Sequence, residues 1–449
     1  MRSGARTTAT GLRESRGGLS AFGETDMLSL KKLGPAAASA TLGLLVAACG
    51  GGGGEEAGGG GSPKLIGDGT LKVGYVLPET GQLAFLGPPQ IQGMKLAVTA
   101  INAGGGVLGK KIPAPMAGDE AGDQAVAQQS ADRVLAGGVQ AVVGAAASGM
   151  TLAIIDKISG AKVVECSASN TAPTFTNYQD SGYYFRTAPS DALQGPVLAD
   201  TMVSDGYSKA AIVARADDYG KGLAAATAKS LREAGATVAL NSTYDPATTN
   251  FGAIIQKVVN AKPDAVAVIS FEEGKQILKG LIEAGYGPAK VGVYGADGLR
   301  SEELPKLVDP KNASVLAGMK GTAPASAENA RFTAALKQFA PGLKELQYAP
   351  QAFDCMTVIA LAAQEAKTND PAVFKNHMVA VTRDGTKCAT FAACKKLTNS
   401  GTNIDYEGVS GPLNFIPVGE PGEATIEIYS YDKSGKLQTV KTVQSRPVS

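Results

Sequence analysis

The chain has no tryptophan, one histidine and five cysteines in 449 residues. With His377 as its single histidine, a Ser-His-Asp triad or a His-ligated zinc would have to use that position. His377 stands in the polar run Lys375-Asn376-His377, inside Pro371 to Val381, which reads as a helix, and a solvated helix face is its expected place. No G-x-S-x-G nucleophile elbow occurs. These absences remove most hydrolase mechanisms, and we expect no enzyme activity, no cofactor and no metal. Charge of one sign is lacking too: 42 basic residues face 41 acidic ones, a formal net charge of +1. That balance argues against a nucleic-acid partner held by phosphate neutralisation. Beyond the first 48 residues no apolar run is long enough to span a bilayer.

What the chain does have begins near its start. Lys31 and Lys32 precede a small and apolar segment, Gly34 to Ala48, too short for a stable transmembrane helix. It ends at Val46-Ala47-Ala48-Cys49, and glycine then runs almost unbroken to Gly61. The pattern resembles the bacterial lipoprotein signal, which implies that the sulfur of Cys49 receives a lipid and becomes the mature N-terminus. Residues 1–48 read as a signal region whose true start is expected at Met27, and residues 49–62 as a lipid-anchored flexible tether. The expected location is therefore extracytoplasmic, anchored to a bacterial cell membrane by the lipid alone. Removing residues 1–48 takes away six basic and three acidic side chains, leaving 36 against 38.

Four cysteines remain after Cys49. Cys388 and Cys394 lie in Cys-Ala-Thr-Phe-Ala-Ala-Cys, close enough to close a small loop. The spacing is not Cys-x-x-Cys and no histidine is near, so a disulfide is favoured over a metal site. Sequence does not decide whether Cys166 and Cys355 pair, because four cysteines allow three connectivities.

From Leu71 onward short apolar or β-branched runs alternate with amphipathic stretches of helical period. Leu71 to Leu77 reads as a buried strand, Pro89 to Ala103 as a helix, Lys111 to Ala117 as a weak strand, and Asp123 to Leu135 as a helix. The alternation continues through Val139 to Val143 and Lys162 to Glu165, then resumes after Thr187-Ala188-Pro189-Ser190 and runs to Val291 to Tyr294. Two helices, Ala327 to Phe339 and Pro350 to Ala366, precede a strand-and-turn end. Such alternation predicts an α/β fold of two doubly wound parallel-sheet lobes. Changes of character near 188, 322 and 405 predict a three-segment hinge, with residues 70–188 plus 323–404 in one lobe and 189–322 plus 405–449 in the other.

Ligands of parallel α/β sheets bind beyond the carboxyl ends of strands, where loops feed helix N-termini. Four loops there carry polar chemistry. Gly144 to Thr151 offers backbone N–H groups and hydroxyls to a carboxylate, the plainer alternative being that Ser148 or Thr151 simply caps the helix. Cys166 to Pro173 is rich in hydroxyls. Tyr219 stands at a helix start after Arg215, and Asp297 follows a strand, where it can accept from an ammonium group or make an Asx-turn. Gly104 to Gly109 matches G-x-G-x-x-G, but a helix precedes it and a strand follows, so it reads as a turn.

The ordered set of these segments resembles the branched-chain amino acid (Leu/Ile/Val-binding) family of type I periplasmic solute-binding proteins of ABC importers. The resemblance covers residues 70–440 and rests on Gly-Tyr-Val-Leu-Pro-Glu-Thr-Gly (74–81), Ala100 to Gly105, Ser169 to Pro173 followed by Phe185-Arg186-Thr187, Asp218-Tyr219-Gly220, and Ser410-Gly411-Pro412. It implies that Ser148, Asn170 and Thr171 hold a ligand α-carboxylate and that Asp297 takes the α-ammonium. It also implies that Phe85, Tyr219 and Phe271 surround the ligand from both lobes. Where the family often has Glu, Asp297 has a shorter arm, and Glu272 and Glu273 leave room for a polar ligand. The implied function is capture of an amino acid or related small zwitterion for an ABC permease and ATPase complex, by a protein that is a monomer. Within the same fold, the alternatives are an amide, urea-like or aromatic acid ligand, or a sensor that signals to a membrane partner.

Overall fold

A computed structural model describes residues 64–325 and 329–446. The signal region, Met27, Cys49 and the tether lie outside the described residues. The first lobe opens with β1 (Val73–Val76), α1 (Gly87–Ala103), α2 (Gln124–Ala136), β2 (Ala141–Gly144), α3 (Ser148–Gly160), β3 (Val164–Ser167) and β4 (Tyr184–Arg186). The four strands form one parallel sheet in the order β1-β2-β3-β4. Each strand is buried along its whole length, as expected where helices cover both faces.

The second lobe runs through α4 (Asp191–Ser204), β5 (Lys209–Arg215), α5 (Asp218–Glu233), β6 (Thr237–Tyr244), α6 (Gly252–Ala261), β7 (Ala265–Ile269), α7 (Gly274–Glu283), β8 (Gly292–Gly295), α8 (Leu304–Val308) and β9 (Lys320–Pro324). The chain then returns to the first lobe as α9 (Ala330–Phe339), α10 (Ala349–Glu365), α11 (Pro371–Phe374), β10 (Thr386–Cys388), α12 (Phe391–Asn399), β11 (Ile404–Gly408) and β12 (Gly411–Pro412). It ends as the hairpin β13 (Ala424–Tyr431) and β14 (Leu437–Ser445), which extends the second sheet to the order β14-β13-β9-β8-β7-β5-β6. Five strands of that sheet are parallel, and the hairpin joins antiparallel to β9. The expected α/β class and parallel sheets are what the chain forms.

Several expectations change. Lys111 to Ala117 is not a strand, because Pro113 and Pro115 lack the N–H a ladder needs. Within that stretch Met116 alone of the described residues bridges to β1, with Tyr75 N–H donating to the Met116 carbonyl at 2.9 Å, and Asp119 bridges Leu77 just past the strand. The helix around His377 stops at Phe374 and continues as one 3₁₀ turn, Lys375–His377. The third passage between lobes comes later than 405: Tyr406, Leu413 and Phe415 are buried in the first-lobe core with α1 and α10. The chain leaves that core after Phe415 and enters the second sheet at Ala424.

α10 is the centre of the first lobe and is buried on nearly every face, as its apolar run Val358 to Ala363 requires. It packs on α1 so closely at Gly93 that a Cβ there would stand 2.2 Å from the Ala349 carbonyl oxygen. Cys355 of α10 pairs with Cys166 of β3, fixing the connectivity that sequence left open, and Cys388 pairs with Cys394 as expected. Closing a loop across 189 positions restrains the unfolded chain by roughly 2–4 kcal/mol.

Two buried polar residues hold the crossings and the turn that leads to the third. Arg186, fully buried at the end of β4, donates to Glu420 Oε2 at 2.7 Å and to the carbonyls of Ala172 at 2.9 Å and Asn170 at 3.2 Å. Glu420 lies in the last crossing segment, so this ion pair ties the first crossing to the third. Asp354 of α10 accepts from Tyr406 Oη (2.7 Å), Val409 N (2.9 Å), Ser410 N (2.8 Å) and Ser410 Oγ (2.5 Å), which accounts for Ser410-Gly411-Pro412 as a turn clamped onto the core. Replacing Arg186 by Met leaves Glu420 buried without its cation. We expect a loss of about 3–5 kcal/mol in stability, read as a lowered urea midpoint. An unchanged midpoint refutes the structural role given to this pair.

Candidate functional site

A small cavity lies between the lobes, lined by Leu83, Leu86, Ala146, Ala147, Ser148 and Ser169 from the first lobe and Tyr219, Phe271, Asp297 and Gly298 from the second, with Tyr348 at the start of α10. It sits where the carboxyl ends of β2 and β3 face those of β5, β7 and β8, the position expected for parallel sheets. The lobes meet around it. Leu83, Leu86, Ala147 and Tyr348 share a buried cluster with Tyr219, Phe271 and Tyr294. Gln347 Nε2 donates to the Asp297 carbonyl at 3.1 Å, and Arg215 Nη1 donates to Gln82 Oε1 at 3.2 Å. Among the described residues no group of three or more His, Cys, Asp or Glu is placed to hold a metal ion.

Asp297 forms the polar end. It begins a 3₁₀ turn after β8 and is only 4% exposed. Its carboxylate accepts from Tyr348 Oη at 2.8 Å, Tyr219 Oη at 2.9 Å and Gln194 Nε2 at 2.9 Å, all neutral donors. Burial pushes its carboxyl above the ordinary range, while these three bonds pull the other way. Tyr219 Oη is itself oriented by accepting from Gly298 N at 3.2 Å. Gly298 has to be glycine, because a Cβ would stand 2.7 Å from Phe271 Cδ1 and 2.9 Å from the Ser270 carbonyl.

The opposite wall comes from the loop between β2 and α3. α3 begins at Ser148, and its cap residue is Ala147, with no side-chain capping bond. Neither Ser148 nor Thr151 caps the helix: Thr151 Oγ1 donates to the Ala145 carbonyl, and Ser148 Oγ accepts weakly from Ala172 N at 3.4 Å. First-turn N–H groups have no partner inside the helix, so Ser148, which lines the cavity, brings such a donor to its edge. Glu120 holds this loop from behind, accepting from Ala146 N at 2.6 Å and Ala147 N at 3.1 Å. Glu165 accepts from Ala145 N at 3.3 Å. Both acids are fully buried; desolvation pushes Glu120 up to about 8 and raises Glu165 as well.

The apolar wall is a stack. Phe271 lies on Tyr219 with ring centroids 5.3 Å apart and planes 17° from parallel. The Arg215 guanidinium sits 3.5 Å from the Phe271 centroid on the other side. Arg215 is paired with Asp217 and with Glu273 at 2.7 Å, and Glu273 also accepts from Tyr244 Oη at 2.8 Å. Glu273 is thus spent on Arg215 and Glu272 on Lys275, and neither lines the cavity, so they do not make it polar.

Of the residues expected in the site, Ser148, Tyr219, Phe271 and Asp297 line one cavity. Asn170, Thr171 and Phe85 do not. Asn170 donates to the Ala146 carbonyl at 2.8 Å and accepts from Tyr184 Oη at 2.9 Å, bracing the loop. Thr171 is buried with its carbonyl accepting from Asp191 N at 2.7 Å. Phe85 is half-buried against the cluster that lines the cleft. Sequence reading passed over Leu83, Leu86, Ser169 and Tyr348. Ser169 had a signal, the hydroxyl-rich loop; its Oγ donates toward Gln90 Oε1 and the Ala146 carbonyl, each at 3.1 Å. Tyr348 had none, since its place depends on a left-handed backbone (φ +63°) that non-glycine residues rarely adopt.

The buried Glu120 sets a pH dependence. Its folded-state value lies above its ordinary 4.5, so its contribution to stability is complete below about that pH and is lost as pH rises through about 8. We expect the melting temperature of the wild type to fall between pH 6 and pH 9 and the fall to be smaller in Glu120→Gln. Equal falls in both proteins contradict the assignment.

Comparison with known proteins bears on the family and the fold. Residues 70–436 match the family described as periplasmic binding protein. Leu/Ile/Val-binding protein homolog 3 of Brucella melitensis is 27% identical over 369 residues, 82% of this chain and 92% of that one. The leucine-, isoleucine-, valine-, threonine- and alanine-binding protein of Pseudomonas aeruginosa is 28% identical over 67% of this chain and 80% of its own. Among solved structures, the branched-chain amino acid transporter substrate-binding protein of Streptococcus pneumoniae in complex with isoleucine superposes with a TM-score of 0.68 at 25% identity, over 84% of this chain and 99% of that one. A solute-binding protein of R. palustris in complex with 4-hydroxybenzoate has a TM-score of 0.69 at 20% identity, over 84% of this chain and 98% of that one, which shows the shared fold alone. The chain is a type I periplasmic binding protein of the branched-chain amino acid family, a substrate-binding protein of ABC-type transport and not an enzyme.

Proposed function

We propose that this chain captures a small apolar amino acid in the cleft and delivers it to an ABC importer from a lipid anchor at Cys49 on the outer side of the cell membrane. The observation that carries the ligand class is the Asp297 carboxylate, buried among neutral donors only, at one end of a small cavity whose other walls are Leu83, Leu86 and Phe271. A carboxylate taken out of water is costly unless a cation meets it, and an α-ammonium supplies that cation. The ligand carboxylate is assigned to the α3 N-terminus, with Ser148 and Ser169 beside it. The apolar side chain then lies against Leu83, Leu86 and the Phe271–Tyr219 stack. An aromatic acid or an amide brings no such cation, so Asp297 argues for the amino acid.

Closure is assigned to rotation of the lobes about the three crossing segments. Tyr348 is the closing contact: it comes from the first lobe and reaches Asp297 of the second. The two disulfides fit an oxidising compartment outside the cytoplasm. No described helix is long and apolar enough to cross a membrane, and the proposed anchor is the lipid on Cys49.

Asp297→Ala tests the reading. Isothermal titration of ligand-free protein against L-leucine, L-isoleucine and L-valine is expected to show saturable binding in the wild type. In the variant, affinity is expected to fall by on the order of a hundredfold or more, since the ammonium loses its buried partner. An unchanged dissociation constant removes Asp297 from the site, and no binding of any amino acid by the wild type removes the ligand class.

A further inference from the structure

A second acid lies beneath Asp297. Asp191 opens α4 and is fully buried, as is Gln194 one turn later. The orientation of the Gln194 amide is set by its nitrogen, which donates to Asp297 Oδ1 at 2.9 Å and to the Thr322 carbonyl at 3.3 Å. That leaves Gln194 Oε1 buried with no donor. Both carboxylate oxygens of Asp191 are likewise buried and without a hydrogen-bond partner of good geometry. Residues three apart on a helix face one another. Two acceptors cannot bond, but a protonated carboxyl is a donor, and one proton on Asp191 gives Gln194 Oε1 its donor and one Asp191 oxygen its partner, while leaving no full charge on the remaining oxygen.

The surroundings decide which of the two acids keeps the proton. Asp297 receives three hydrogen bonds, which favour its charge. Asp191 has the Thr171 hydroxyl beside it and the Arg186 guanidinium farther off, opposed by Asp297 and Asp217. Arg186 is already committed to Glu420. Burial is the largest influence on Asp191 and disfavours its charged form. The tyrosines on Asp297, Tyr219 and Tyr348, are also held in the neutral form by burial first and by Asp297 next.

We infer that Asp191 remains a neutral carboxylic acid and is a positioning residue, donating its proton to Gln194 Oε1 and so aiming the Gln194 amide, and with it Asp297, at the ligand. The inference rests on the reading that Asp297 receives the ligand's ammonium. Its consequence is a charge count: the acid pair carries one negative charge, which matches a ligand with one cationic group at that end and not a diamine or a divalent cation.

The test uses L-leucine as the probe at pH 7, titrated into the wild type, Asp191→Ala and Asp191→Asn. The Ala variant deprives Gln194 Oε1 of its donor and is expected to weaken binding by about tenfold or more, whereas the amide of the Asn variant donates in place of the acid and restores binding to within about threefold. Infrared difference spectra of the wild type against Asp191→Asn are expected to show a carboxylic-acid carbonyl band, and the ¹³C-carboxyl shift of Asp191 is expected to report a protonated group. Because the ¹³C reading comes from the wild type alone, a variant that fails to fold does not shelter the idea. An Asn variant as weak as the Ala variant, or an ionised Asp191 at pH 7, overturns the inference while leaving the amino acid reading intact. Absence of leucine, isoleucine and valine binding by the wild type overturns both.

Discussion

A carboxylate buried among neutral donors is the constraint on which the cleft depends. Asp297 is 4% exposed and is met by two tyrosine hydroxyls and an amide. Hydrogen bonds of this kind hold a carboxylate in place and lessen the cost of burying it, but they do not neutralise it. The closed cleft therefore has a built-in demand for one positive charge. Tyr348 crosses from the first lobe to bond this carboxylate without supplying that charge, so the carboxylate proposed to meet the ligand also draws the lobes together.

Other buried ionisable groups serve the loops around the cleft. Glu120 and Glu165 hold the backbone of residues 145–147 from behind, leaving the α3 N-terminus to face the cavity. Arg186 and Glu420 fasten two crossing segments to each other, and Asp354 clamps the turn at 408–410. Each of these groups is costly to bury alone and is tolerated because specific backbone groups or an opposite charge meet it. The result is a polar frame at the crossings and strand ends, set into lobes whose strands are mostly apolar.

Much of this was legible in the sequence. Alternating apolar runs gave the parallel sheets, because helices on both faces require strands buried along their length. Ser148, Tyr219 and Asp297, expected from loops that follow strands, and Phe271, expected from the resemblance, come together along one cavity. Asn170 and Thr171 were misplaced for a physical reason: they share the right loop, but their polar groups turn inward to brace it. Tyr348 and Leu86 escaped because nothing local marks them; their position comes from packing between segments more than 100 residues apart. The passage expected at 405 failed because β11 looks like the start of the terminal hairpin, whereas Tyr406 and Phe415 belong to the first core. Glu272 and Glu273 misled because charge near a cleft says nothing until its partners, Lys275 and Arg215, are known.

The most direct test of the central claim compares L-leucine with 4-methylpentanoate, the same molecule without its ammonium group, by isothermal titration into ligand-free protein. If Asp297 demands a cation, leucine binds tighter by on the order of a hundredfold or more, since the deaminated analogue leaves a buried carboxylate unpaired. Equal affinities for the two would contradict the account, because the cleft would then be reading shape and carboxylate alone.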